Sequence, residues 1–354
     1  MDVNIYEKLR EHLDSLPTGY PKTRSGVELR ILKKLFTEEE AEMACQLKPL
    51  PEKAEQIAQR LGRDPEKVAD FLYKMSRKGL ILRVKIDGIY HYMAIMFIVG
   101  IMEFQVNNLD REFCELFDAY GQEAMFKELI RPQTPQLRVV PVEESLDTQM
   151  EIQPYDELRK IIEAQKNIAL ADCICRKKSS LLGHSCSKPV EACFVFGTMA
   201  EYYIENGLAR KITQDEAFEV LRMNEMAGLV PSPANAQKIG GMCNCCACCC
   251  GILKAIKLHH QPSSLVKSNY YVRVDENLCA GCEACLKRCQ MEAIFMDDDR
   301  AIIDLKRCIG CGLCVITCPT EALSLHQKKS KELYVPPAKP MDTYIQIAKE
   351  MGKI

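Results

Sequence analysis

The stretch CAGCEACLKRC, residues 279–289, decides the structure of the C-terminal part of this chain, and CIGCGLCVITC, residues 308–318, repeats it. Both carry the spacing C-x2-C-x2-C-x3-C, and the second begins 29 residues after the first. Three cysteines on one tight loop, with a fourth at the start of a helix, can surround a compact metal group with thiolates. Loop glycines let the backbone N–H groups approach the sulfur atoms, namely Gly281, Gly310 and Gly312. The repeat therefore predicts two cysteine-ligated centres related by a pseudo-twofold axis.

The spacing predicts that each centre is a 4Fe-4S cluster, and it also assigns the ligands. The fourth cysteine of each repeat points across to the cluster of the other repeat. Cluster one is then bound by Cys279, Cys282, Cys285 and Cys318, and cluster two by Cys308, Cys311, Cys314 and Cys289. Two zinc sites are the alternative.

Segments rich in β-forming residues accompany both repeats, among them Tyr271 to Val274 and Ile302 to Asp304. Together with the cysteine spacing, they make residues 269–326 resemble the bacterial ferredoxins that bind two 4Fe-4S clusters. The resemblance implies a ferredoxin-like fold and a role in electron transfer.

One position departs from that family. Pro319 follows Cys318, as the family pattern requires, but Gln290 follows Cys289 in the first repeat. Because ligation does not need the proline ring, we expect both clusters to form. We expect the packing and the reduction potential to differ between the two.

Ten more cysteines lie in the middle of the chain, and six of them fall within the eight residues 243–250. Adjacent side chains leave the backbone in different directions, so this run must serve more than one centre or leave some thiols free. The simplest interpretation is one or two further iron-sulfur clusters, with zinc or redox-active thiols without metal as alternatives. The spacing does not assign individual ligands among Cys173, Cys175, Cys186, Cys193, Cys243, Cys245, Cys246, Cys248, Cys249 and Cys250.

Four short motifs extend the resemblance over most of the chain. They are Cys173-Ile174-Cys175-Arg176, Pro189 to Cys193, Gly228-Leu229-Val230 and Cys243-Asn244-Cys245-Cys246. With them the chain resembles a family of 4Fe-4S proteins of anaerobes that have a winged-helix N-terminus and a central cysteine-rich segment. The resemblance implies an architecture and an anaerobic redox setting, but no particular reaction.

Three cations, Arg176, Lys177 and Lys178, follow the first of these motifs. We expect them to form a solvated turn. The alternative is that they lower the pKa values of nearby thiols or stabilise a reduced cluster.

The segment from Val27 to Val99 is typical of helices followed by a hairpin. A helix is predicted over Glu52 to Leu61, and Asp64-Pro65 supplies the cap and first turn of the next helix. Asp87-Gly88 is a two-residue hairpin signal. This order resembles a winged-helix domain.

The fold class expected is therefore α+β with several domains. A winged-helix-like domain covers residues 1–107, and a helix with a proline-interrupted linker follows over 108–153. A helical, cysteine-rich domain covers 154–262, with helices over Val190 to Asn206 and after Thr213. The ferredoxin domain takes 263–326 and a tail takes 327–354.

Composition narrows the possible partners and the compartment. The net charge of −2 gives no general attraction for a polyanion. Met1 to Leu16 is charged and polar with no signal-peptide core, and the cysteines are grouped like metal ligands, so we expect a reducing cytoplasm. The apolar run Met93 to Met102 is about half the roughly 20 residues of a membrane span. We predict buried core there and no membrane span.

We therefore expect an iron-sulfur electron-transfer protein, or a relay subunit of an anaerobic oxidoreductase system, that works with a redox protein partner. An iron-sulfur redox sensor that binds DNA is the alternative. It has weak support, because the basic residues Lys67, Lys74, Arg77 and Lys78 share the proposed recognition helix with acidic ones. Catalysis at an incompletely ligated cluster is a third possibility, and we expect an electron carrier or oxidoreductase subunit in preference to a stand-alone enzyme.

Metal analysis tests these assignments. Two ferredoxin clusters require about eight irons per chain, and one central cluster raises this to about twelve. We expect about twelve irons, with matching acid-labile sulfide, in anaerobically purified protein. A value that stays at eight after full reconstitution, with zinc present, would remove the central cluster.

Overall fold

The computed structural model describes residues 4–147 and 151–354, and it mixes helices with four antiparallel sheets. The residues 1–3 of the predicted first domain and 148–150 of the predicted linker lie outside the described residues. The mixed helix-and-sheet class expected from the sequence is confirmed.

The N-terminal segment contains five helices and a small sheet. Its elements are α1 (Ile5–Ser15), α2 (Val27–Leu35), α3 (Glu38–Ala44), β1 (Glu52–Lys53), α4 (Ala54–Leu61), α5 (Pro65–Arg77), β2 (Leu82–Ile86) and β3 (Ile89–Met93). The strand order is β1-β3-β2, all antiparallel. Asp64 caps α5 by accepting a hydrogen bond from the Lys67 N–H at 3.0 Å, as its sequence predicts.

The start of α4 differs from the prediction. Glu52 and Lys53 form a short strand, and the helix begins only at Ala54. Glu52 pairs with Tyr92 of the hairpin, so a tertiary contact replaces the first helical turn. The sequence window alone does not contain that partner.

The apolar run after the hairpin is buried, as predicted. It forms an irregular turn over Phe97–Ile101 and leads into α6 (Met102–Phe104), α7 (Arg111–Tyr120), a π-turn over Gly121–Met125 and α8 (Phe126–Leu129). Phe97 and Ile101 are each 1% exposed. Among the helices of the described residues, none has the length and apolarity needed to cross a membrane.

An extended strap, residues 131–147, joins the middle and C-terminal segments. The Arg138 N–H donates to the Pro233 carbonyl at 3.0 Å, and the Val142 N–H donates to the Cys311 carbonyl at 3.0 Å. The strap therefore contacts both the edge of a central sheet and the second cysteine repeat.

The middle segment is built on a five-stranded antiparallel sheet of order β6-β4-β5-β8-β7. Its elements are α9 (Leu158–Glu163), β4 (Ile168–Asp172), α10 (Ile174–Leu181), β5 (Glu191–Phe196), α11 (Gly197–Glu205), β6 (Ala209–Ile212), α12 (Gln214–Met226), β7 (Val230–Pro233), β8 (Gly241–Cys245) and α13 (Gly251–Leu258).

This sheet corrects the prediction of a helical middle domain. The helix expected over Val190 to Asn206 begins only at Gly197, and its first part is the central strand β5. Ala192, Phe194 and Phe196 are at most 1% exposed, and Val195 on the opposite face is also buried. Because both faces of β5 are covered, the strand lacks the alternating pattern that would have revealed it.

The C-terminal segment forms two separate two-stranded sheets. Strand β9 (Tyr270–Val274) pairs with β12 (Leu323–Gln327), and β10 (Ile294–Asp297) pairs with β11 (Arg300–Ile303). The short helix α14 (Ala284–Arg288) follows the first cysteine loop. The last helix, α15 (Pro340–Glu350), packs back on the body, where Glu350 accepts a hydrogen bond from the Thr134 N–H at 2.8 Å.

The N-terminal and middle segments share one core. A single cluster of buried side chains extends from Tyr6 to Leu208, across the predicted boundary at residue 107. Arg83 of β2 is 2% exposed and donates to Ser76 and, across the contact, to Glu205 of α11, both at 2.7 Å. The hairpin is therefore fixed against the segment that carries the central cysteines.

Candidate metal centres

The eight cysteines of the two repeats line two separate small hollows. Cys279, Cys282, Cys285 and Cys318 line one, the cluster-one site. Cys289, Cys308, Cys311 and Cys314 line the other, the cluster-two site. The structure thus brings together the same two sets that the spacing assigns. Each hollow has a volume of ≈20 Å³, so the chain is closely wrapped at both sites.

Left-handed backbone makes this wrapping possible. Gly281 of the first repeat and the equivalent Gly310 of the second have φ of +67° and +69°. Two residues further along each loop, Glu283 and the equivalent Gly312 have φ of +58° and +72°. A Cβ on Gly310 would collide with the Tyr270 carbonyl. The surroundings of this second pair differ. Glu283 is exposed, whereas Gly312 lies against Ser145 of the strap.

Backbone N–H groups face the sulfur atoms, as the sequence predicts for a cluster site. The Ala293 N–H donates to Cys289 Sγ at 3.2 Å, and the Ala301 N–H donates to Cys279 Sγ at 3.5 Å. Burial alone would raise the pKa of Cys318, but hydrogen bonds from the Thr320 hydroxyl and neighbouring backbone N–H groups outweigh it and lower the pKa. Such donors stabilise thiolate and reduced-cluster charge, so the residues present fit a 4Fe-4S group.

Six of the ten central cysteines form a closed ring of neighbouring thiols, called here the six-thiol ring. In order around the ring they are Cys173, Cys175, Cys250, Cys245, Cys243 and Cys193. They come from the ends of two helices and from strands β5 and β8. Hydrogen bonds from the thiols of Cys175 and Cys193 hold the pKa of Cys173 well below its usual range.

The other four central cysteines form a second, compact group, called here the four-thiol group: Cys186, Cys246, Cys248 and Cys249. The run 243–250 is divided between the two sets. Within it, Cys245 and Cys246 face different sets, as do Cys249 and Cys250, in keeping with the expectation that neighbours diverge. Cys45 and Cys114 are free thiols in the N-terminal and α7 regions and belong to neither set.

Arg176 lies between these two sets of thiols. Its side chain is 3% exposed, and Nη1 donates to the Asn244 carbonyl at 3.1 Å and to Cys246 Sγ at 3.8 Å. The expectation of a solvated turn is wrong for this residue, because it lies within helix α10 on a buried face. Lys178 is also buried, in an ion pair with Asp118.

The charge of Arg176 shows what the central site must contain. Its Nε and Nη2 have no hydrogen-bond partner among the residues that the structure describes. Burial opposes its charge, but electrostatic attraction to the neighbouring cysteines, Cys173 first and then Cys193, raises its pKa above the ordinary value. A buried, unpaired guanidinium costs several kcal/mol unless an anion compensates it. Anionic thiolates, free or bound to metal, therefore fit this site.

The six-thiol ring opens on a large cavity of ≈370 Å³. Part of its lining is apolar and comes from the run after the hairpin, including Ile95, Ile98 and Met102. Several polar side chains also line it, and sequence reasoning missed three of them: Glu103, Tyr203 and Tyr344. They lie in three distant segments, and the only sequence signal was a carboxyl ending an apolar run.

Glu103 is the acidic group of this cavity. Burial raises the pKa of its carboxyl to about 7, although the Gly100 N–H donates to it at 2.6 Å and favours the charged form. The carboxyl therefore carries its proton below about neutral pH.

The contrast between Gly312 and Glu283 yields a prediction. Gly312→Ala should strain a left-handed residue by roughly 1–2 kcal/mol and collide with Ser145 of the strap. We expect the loss of cluster two, and hence of about four irons per chain. Glu283→Ala, at the exposed equivalent position, should keep its iron. Iron analysis and electron paramagnetic resonance of the reduced proteins make the comparison, and full iron with unchanged spectra in Gly312→Ala would contradict this account.

Comparison with known proteins agrees with the C-terminal geometry. Residues 278–323 match the family model of the 4Fe-4S dicluster domain. No curated protein and no solved structure significantly matches the chain. The chain therefore contains an iron-sulfur domain of ferredoxin type, and this domain together with the clustered cysteines supports an iron-sulfur redox role.

Proposed function

We propose that this chain is an electron-transfer protein in which the dicluster domain exchanges electrons with the six-thiol ring. One contact carries the proposal. Gln290 follows Cys289 of the cluster-two site, and its Oε1 accepts a hydrogen bond at 2.9 Å from the N–H of Ala247, inside the cysteine run. Proline at this position could not make that contact. The departure from the ferredoxin pattern thus supports direct contact between the two cysteine-rich regions.

Packing around this contact supports the same route. Cysteines of the cluster-two site and of the six-thiol ring lie in one apolar core, with Ile309, Leu313 and Met291 among them. The Arg288 guanidinium donates to the Met226 carbonyl at 2.8 Å and also to the Glu225 carbonyl. A packed and hydrogen-bonded contact fixes the separation of the two regions, which electron transfer requires.

The cluster-one site faces outward and supports entry of electrons from a partner. Cys282 is exposed, and the side chains of Leu278 and Phe295 near the first loop are each 50% exposed. Apolar side chains around an exposed redox site suit docking of a redox protein or oxidoreductase. A 4Fe-4S cluster carries one electron at a time. The proposed direction is from the partner through the cluster-one and cluster-two sites to the six-thiol ring.

The cavity beside the ring favours a second candidate, in which this chain itself converts a small molecule. Its volume of ≈370 Å³ is within the range of small-molecule sites, and its walls suit a largely apolar compound. Two reduced clusters supply two electrons, and Glu103 is placed to give one proton, with a second from solvent. A two-electron, two-proton reduction of a bound molecule would then balance.

The DNA-binding regulator has less support. The order of helices and strands in residues 27–93 supports the winged-helix assignment, but several of its cations are occupied. Lys74 pairs with Asp70 at 2.6 Å, Arg77 donates to Asn206 at 3.3 Å and Arg83 is buried. Phosphate binding needs free Lys and Arg. Specific, redox-dependent binding of upstream DNA at nanomolar concentrations in a gel-shift titration would overturn our preference.

The Gln290 contact gives the test of the electron route. Gln290→Ala and Gln290→Pro should each keep all iron, because the side chain is not a ligand, and both should slow electron exchange between the dicluster domain and the central centre several-fold. Rapid-mixing spectroscopy after reduction by dithionite measures this rate. In both variants we also expect a modest change in the potential of cluster two.

Pro319→Gln is the matched control, because it changes the equivalent and exposed position of the other repeat. It should leave the exchange rate unchanged. Loss of iron in the Gln290 variants would mean that the cluster-two site has been misassigned, and an unchanged rate would mean that the contact is not on the route.

A further inference from the structure

The four-thiol group is more compact than either ferredoxin site. All four of its Sγ atoms lie within 4.8 Å of one another. Cys249 Sγ is 3.6 Å from Cys186 Sγ and 3.8 Å from Cys248 Sγ. Within residues 4–147 and 151–354, no other set of three potential ligands is this compact, and that includes both sets of ferredoxin cysteines.

These Sγ–Sγ distances are close to those of four thiolates around a single metal ion. In a tetrahedral site with metal–sulfur bonds of about 2.3 Å, neighbouring sulfur atoms are about 3.8 Å apart. A 4Fe-4S cluster places its four thiolates outside a cube of irons and sulfides, so its ligands must stand further apart.

We propose that Cys186, Cys246, Cys248 and Cys249 bind one tetrahedral thiophilic ion, Zn²⁺ or Fe²⁺, and not an iron-sulfur cluster.

The surroundings compensate the charge that such a site would carry. Four thiolates around a divalent ion leave a net charge of −2. Arg176 donates to Cys246 Sγ, and two further donors reach the group, the Lys188 N–H at Cys186 and the Ser179 hydroxyl at Cys249. Cys246 and Cys249 are at most 2% exposed. With four protein ligands and no open position, the site is of the structural kind.

The position of the group in the chain indicates its role. Cys246, Cys248 and Cys249 occupy the turn between β8 and α13, and Cys245 and Cys250 on either side belong to the six-thiol ring. An ion bound by the turn would fix these two flanking thiols toward the ring. This site goes beyond the proposed electron route, because its bound ion would position the two flanking thiols of the redox centre.

Metal analysis of matched variants tests the proposal. Cys248→Ala and Cys282→Ala each remove one exposed cysteine, from the four-thiol group and from the cluster-one site respectively. In anaerobically purified wild-type protein we expect about one zinc, or one non-sulfide iron, per chain. Cys248→Ala should lose that ion and keep its acid-labile sulfide. Cys282→Ala should keep the ion and lose sulfide.

Cobalt provides the independent readout. Wild-type protein refilled with Co²⁺ should show the absorption of tetrahedral cobalt thiolate, and Cys248→Ala should not. Loss of about four sulfides in Cys248→Ala, together with no tetrahedral cobalt absorption in the refilled wild-type protein, would show an iron-sulfur cluster at this position and overturn the proposal. The absence of any extra ion from wild-type protein would overturn it as well. Either result leaves the Gln290 test of the electron route intact.

Discussion

The buried guanidinium of Arg176 is the constraint on which the centre of this molecule depends. It is held between the six-thiol ring and the four-thiol group, with two of its nitrogens unpartnered among the described residues. A charge in that position is tolerable only beside anions, so the thiols must be at least partly ionised or bound to metal. Through Arg176, helix α10 is linked electrostatically to the cysteine run.

Two kinds of cysteine site follow from this arrangement. The ferredoxin hollows are tight, at ≈20 Å³ each, and leave room for little besides a cluster. The six-thiol ring opens instead on a cavity of ≈370 Å³ with an acidic group, Glu103, on its wall. Closed sites suit storage and transfer of electrons, whereas an open one suits contact with a further molecule. The proposed electron route assigns entry of electrons to the outer cluster-one site and their delivery to the inner six-thiol ring.

The two halves of the dicluster domain differ where they meet the rest of the chain. Gln290 takes the place of the family proline at the half that contacts the cysteine run, while Pro319 remains at the exposed half. Gly312 meets the strap, while the equivalent Glu283 faces solvent. In both cases the two repeats differ at a pair of equivalent positions of which one packs against another segment of the chain and the other is exposed. The residue at the packed position is the one that fits the adjoining segment.

Local sequence determined the cysteine spacing of the dicluster domain, the hairpin and the caps, because loop spacing, turn residues and N-caps act over a few residues. It also showed that the run 243–250 must divide its thiols. Only the tertiary structure decided how: which thiols form the ring, that β5 is a strand covered on both faces, and that Arg176 is buried. Only the tertiary structure also places Glu103, Tyr203 and Tyr344, which come from three distant segments, around one cavity. Contacts between residues far apart in the sequence produce no periodic pattern in it, because the partners meet only when the chain has folded.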